Sequence, residues 1–249
     1  MSNVIVQEAL RGKVYRELPA KNLDGSDAYL RLGSRADGMV IPLTSTKHGL
    51  AEEGSYYTAA NAAISTGLTI GGDTQTAWVA TTPTLVIYNG AAAGGVNLII
   101  DYLKLLVTSG GTAATQLEYA VLLDNINRYT SGGTALTPKN VNMGISTSSI
   151  ASVYFGAITA PAASASVRKV ARGVLRAAIP VAFDQYVIAF GASDISCNNS
   201  QIGSTTIINH TVSAPPAVIP PGSSLLVYTW GGSMSNSPEA EVEVNWWER

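Results

Sequence analysis

The residues able to do chemistry in this sequence are few. Cys197 could serve as a nucleophile with His210 as its base, although a lone Cys in a β protein is ordinarily a small packing residue. The carboxylates of the uncharged part of the chain are Asp73, Asp101, Glu118, Asp124, Asp184 and Asp194. A paired acid on one face could act as general acid and nucleophile on a glycoside. A hairpin turn at 109–112 would set Asp101 roughly opposite Glu118, with Lys104 and Arg128 near enough to turn the pair into a plain ion pair. Asp124-Asn-Ile-Asn-Arg-Tyr-Thr-Ser131 is rich in oxygen, but Ile126 and Arg128 stand where an EF-hand needs ligands and no Glu closes the loop. A polar turn accounts for it better. With one Cys and two His, a thiolate–imidazole metal cluster is out of reach. The nucleophile-elbow, phosphate-loop, dinucleotide and zinc-protease motifs are missing.

Charge placement is more telling. Arg168, Arg172 and Arg176 recur every fourth residue and would share one strand face with Val170 and Val174. Glu239, Glu241 and Glu243 alternate with Ala240, Val242, Val244 and Trp246, as a strand with one buried face requires. The two stripes are expected to meet, within a subunit or across a contact between subunits, selecting register and partner more than stability. Of the pair Trp246-Trp247, one ring is expected in the core and Trp247 at an interface.

The elements that must position these residues read as β almost throughout. Thr84–Tyr88 ends at Asn89-Gly90, a strong turn dipeptide. Further strands are expected at 96–108, 116–123, 152–156, 167–179, 186–190, 205–208 and 224–230, separated by Gly, Ser and Pro turns. Eight to ten strands without a long amphipathic helix predict an all-β antiparallel β-sandwich, a jelly roll being the first choice. Residues 1–55 carry 14 charges and residues 56–249 only 18. We therefore expect an extended N-terminal arm over 1–55, with a helical start near Gln7 and short strands at Tyr29–Leu32 and Met39–Leu43, ahead of a sandwich body over 56–249.

Ala, Gly, Ser and Thr make up 103 of the 249 residues, and the formal net charge is −2. That balance gives no electrostatic argument for nucleic-acid or anionic-membrane binding. The apolar run from Val96 to Val107, broken by Asp101 and Lys104, falls short of the ~20 residues of a spanning helix. No nucleic acid, membrane, cofactor or metal is expected as a partner.

The block His48-Gly-Leu-Ala-Glu-Glu-Gly-Ser-Tyr-Tyr-Thr-Ala-Ala-Asn61 resembles part of a group of virion structural proteins of tailed bacteriophages and their environmental relatives. So do Tyr102-Leu-Lys-Leu105 with the Gly-Thr-Ala turn after it, Asp124, and Arg128-Tyr-Thr-Ser-Gly-Gly133. The resemblance spans roughly residues 45–145 and rests on turns and strand patterns. It implies a non-enzymatic jelly-roll protein on or in the capsid, and carries over no catalytic residues. Tailed-phage major capsid proteins have a long spine helix, and none is readable here. The resemblance therefore points to a decoration or cement protein of the virion, assembled in the bacterial host cytoplasm. Its expected partners are the major capsid protein and copies of itself in a homo-oligomer. A jelly-roll shell subunit, a glycan-binding or receptor-binding fibre module and a β-sandwich glycoside hydrolase are the alternatives.

Overall fold

Runs of Val, Ile, Leu and Tyr punctuated by Gly, Pro and Asn leave the backbone little choice but short strands. The computed structural model describes residues 46–61, 63–70, 77–111, 116–191, 208–231 and 236–249. The expected helix near Gln7, the strands at 29–32 and 39–43, and Asp73, Asp194 and Cys197 lie outside the described residues. A short helix, α1 (Thr46–Glu52), comes first. The strands are β1 (Tyr56–Ala60), β2 (Leu68–Thr69), β3 (Leu85–Asn89), β4 (Leu98–Ser109), β5 (Leu117–Asp124), β6 (Ser131–Leu136) and β7 (Lys139–Asn140). They continue with β8 (Ala151–Thr159), β9 (Arg168–Arg176), β10 (Gln185–Phe190), β11 (Asn209–Ala214), β12 (Ala217–Ile219), β13 (Ser224–Trp230) and β14 (Glu239–Glu248). Leu50–Arg249 is one unit.

Two sheets pack face to face, so the all-β antiparallel sandwich holds. One has eight strands in the order β11-β10-β4-β14-β1-β7, with β12 beside β4 and β2 beside β14; the other runs β6-β8-β3-β13-β5-β9. The long strands pair in a nested way. β1 pairs with β14, β3 with β13, β4 with β10 and β5 with β9, all antiparallel. A parallel pairing joins β10 to β11.

Between the sheets lies the main core. β14 contributes the predicted face, Ala240, Val242, Val244 and Trp246, against Leu103, Leu105 and Val107 of β4. From the other sheet come Leu85, Leu117, Val121, Leu225 and Val227. Each such side chain contributes about 1.5–3 kcal/mol on leaving water. Trp246 is fully buried and stacks on Tyr57 at 6.2 Å. Trp247 faces the other way, half-buried, stacked on Tyr56 at 6.4 Å.

The hairpin expected between Asp101 and Glu118 does not form. Asp101 lies in β4 and Glu118 in β5, on different sheets, because the chain crosses from one sheet to the other after Ser109. Asp101 instead sits at a register shift of β4 against β14, where it accepts a 2.6 Å hydrogen bond from the Tyr56 hydroxyl.

Candidate interaction surface

The basic stripe is where sequence spacing and structure part. β9 pairs with β5 through two register shifts, one between Leu117 and Glu118 and one between Val121 and Leu122. Each shift leaves an extra residue on β9, and a one-residue slip turns the following side chains to the opposite face. Arg172 therefore stands opposite Ala120, on the outer face, while Arg168 and Arg176 stand opposite Leu123 and Leu117 of the inner-facing set. Arg176 is buried and ion-paired with Asp184. The Asp184 carboxylate also accepts the Tyr186 hydroxyl at 2.9 Å and the backbone N–H groups of Val181 at 2.8 Å and Ile208 at 2.9 Å. Burial, with that carboxylate alongside, pushes the Tyr186 phenol well above its ordinary range.

The acidic set occupies β14 in the other sheet. Glu239 is exposed and Glu241 half-buried; Glu243 is ion-paired with Lys104 and accepts hydrogen bonds from the Tyr102 hydroxyl and, at 3.2 Å, from the Asn245 amide. Burial works to raise the Glu243 carboxyl, but the Lys104 and Tyr102 hydrogen bonds outweigh it and hold it below its usual range. Within one chain the two stripes do not meet. Arg172 is paired with Glu118, Arg176 with Asp184 and Glu243 with Lys104 instead, while Arg168 is exposed.

Arg172, on the outer face, helps to build a groove. On the outer face of the six-stranded sheet, a cavity of about 630 Å³ is floored by Ala120 and Leu122 of β5 and walled by Trp230, Trp78, Ala77 and Val167. Arg172 lies over the Trp230 ring at 5.8 Å, a cation–π arrangement. Its guanidinium also meets Glu118 at 3.2 Å, and Glu118 accepts the Gln116 amide at 2.6 Å. Trp78 remains 45% exposed and packs edge-on against Tyr228 at 5.8 Å. Lys169 completes the rim, exposed and without an ion pair among the described residues.

A second apolar cluster backs this face. Val86, Ala120, Leu122, Ile158, Leu226, Tyr228 and Trp230 pack outside the sheet, under the segment 77–84. Arg128 fastens that roof. Its guanidinium, wholly buried, donates to Asp124 at 2.7 Å, to the Ala80 carbonyl at 2.8 Å and to the Pro161 carbonyl at 3.0 Å. Asp124 also accepts the Ser164 backbone N–H at 3.0 Å. Burial alone would raise the Asp124 carboxyl; hydrogen bonds from Ser164 and Arg128 outweigh it and lower it. Tyr228, donating to the Ala80 carbonyl at 2.8 Å, is pushed up to about 12 by burial. The oxygen-rich loop after Asp124 is thus a clamp on two neighbouring segments, with its carboxylate already engaged.

Trp78, Trp230 and Glu118 were not among the expected interface residues. A signal for Trp230 exists in the sequence: Ser224–Trp230 lacks alternation, and every residue of it is buried, which requires cover on both sheet faces. His210, the base once paired in expectation with Cys197, has its Nδ1 2.9 Å from the Leu175 carbonyl.

No protein-family model matches this sequence, and no curated protein or solved structure matches it.

Proposed function

We propose that the chain is a non-enzymatic structural protein of a phage particle, a decoration or cement protein that binds the capsid and stabilises it. The observation that carries this reading is the groove on the outer face of the six-stranded sheet. Its tryptophan and arginine content is that of an interface centre rather than of a solvated sheet face. The nested pairing of β1 with β14, β3 with β13, β4 with β10 and β5 with β9 supports the finer fold assignment, as in a long hairpin rolled into a jelly roll. A fold hosts many functions, so the surface bears the argument. Asp124, Asp184 and Glu243 are each held in a hydrogen-bonded ion pair, which suits a scaffold.

The same pairing favours a second reading, a jelly-roll shell subunit. Quantitative mass spectrometry of washed particles, produced from the genome that encodes this chain, tests both. A decoration protein is expected at stoichiometric copy number beside a distinct and more massive shell protein. Finding this chain as the principal shell protein would select the second reading. Its absence from the particles would overturn both.

A further inference from the structure

We infer that the groove receives an apolar side chain flanked by a carboxylate, presented by a segment of a neighbouring protein subunit in the particle. The inference rests on the structural-protein reading above and names the chemistry of the partner. Three observations lead to it. The hollow, about 630 Å³, lies within the range of built sites of about 300–1,000 Å³, and Ala120 and Leu122 give it an apolar floor. The charged groups on its rim are Lys169 and Arg172 against Glu118, one net positive charge on a chain whose formal charge is −2. Glu118 already accepts both Gln116 and Arg172, whereas Lys169 has no ion pair among the described residues.

An incoming carboxylate would take Lys169 and the outward N–H groups of Arg172, whose side chain is 59% exposed. The apolar part beside it would lie between Trp78 and the Ala120–Leu122 floor, displacing water from both. Such a pairing at the centre of a hydrophobic hollow is where interface energy concentrates. A saccharide fits less well. The Trp230 ring is capped by Arg172 and 4% exposed, which leaves Trp78 as the open aromatic surface.

The test compares the unsubstituted chain with Lys169→Glu and with Lys169→Glu/Arg172→Gln, each checked for an unchanged melting temperature, in particles assembled with each. Either variant is expected to be retained on washed particles at about a tenth of the normal level or less. With p-benzoylphenylalanine at position 77, an exposed wall position that leaves Lys169 and Arg172 in place, irradiation should cross-link the chain to a protein segment containing an acidic residue beside an aromatic or branched one. Full retention of the folded double variant, or cross-links that go to a saccharide or to a basic segment, would overturn the inference while leaving the structural-protein reading intact. If the unsubstituted chain is itself missing from the particles, both fall together.

Discussion

At the scale of single residues, the cost of burying charge decides what Arg128 and Asp124 can do. Both side chains are 0% exposed, and each is tolerable there only because the other, with the carbonyls of Ala80 and Pro161, meets its hydrogen-bonding demand. Removing one partner strands the other. Arg128→Met is therefore expected to lower the unfolding free energy by about 3–5 kcal/mol in urea titrations, and to loosen the Trp78 side of the groove through Ala80. The pH dependence follows from the same pair. Asp124 and Glu243 are held below their unfolded values, so the unfolded chain binds protons first as the pH falls. Their stabilisation is fully present above about pH 5, beyond the ordinary carboxyl values, and is lost progressively as the pH falls through the depressed folded values. Asp124→Asn should be less stable at neutral pH and should show a flatter acid limb when melting temperature is followed from neutral to acid. An unchanged acid limb would assign the acid sensitivity to other carboxylates.

At the scale of elements, β9 shows how register governs chemistry. Its two bulges turn Arg176 inward to Asp184 and leave Arg172 outward on Trp230. Gly173 lies between them for a steric reason. A Cβ there would come within 2.9 Å of the Tyr119 ring, which is buried in the main core. Gly173→Ala must displace that ring and should cost about 1–3 kcal/mol, read as a lower denaturation midpoint without a change in slope. The strands also share a response to alkali. Burial raises the Tyr56, Tyr102, Tyr186 and Tyr228 phenols, so above about pH 10 the unfolded chain releases protons that the folded chain keeps. Stability should then fall as the pH rises, and phenolate absorbance should lag that of the unfolded protein until the melt.

At the scale of the whole molecule, the sandwich is closed by its own ends. β14 is a central strand of the eight-stranded sheet, held between β4 and β1, so the core lacks Ala240, Val242, Val244 and Trp246 until its ten residues are paired. Among the described residues, the main core draws on Tyr57 and those after it. A chain starting at residue 46 should therefore keep a cooperative melt and a β-type circular dichroism spectrum. A molten, non-cooperative product would show that the first 45 residues belong to the folding unit. Deleting β14 should abolish folding altogether, since it removes Trp246 and exposes strand edges on both β1 and β4.

The alternation along Glu239–Trp246, the Gly and Pro punctuation and the low charge of the body were enough to specify strands, the buried face of β14 and a sandwich. These are local properties, because side-chain period and turn chemistry act over a few residues. Long-range pairing was not legible. The turn after Ser109 looked like that of a hairpin, yet β4 and β5 belong to different sheets, since where the chain crosses depends on which partner strands compete for each edge. The three arginines of β9 had one spacing and received two fates, because bulges are set by how two strands fit together and not by either alone. For the same reason the groove joins residues from β5, β9, β13 and the 77–84 segment. Sequence periodicity marks which face of a strand is apolar; only the packed sheets decide which apolar face stays open to a partner.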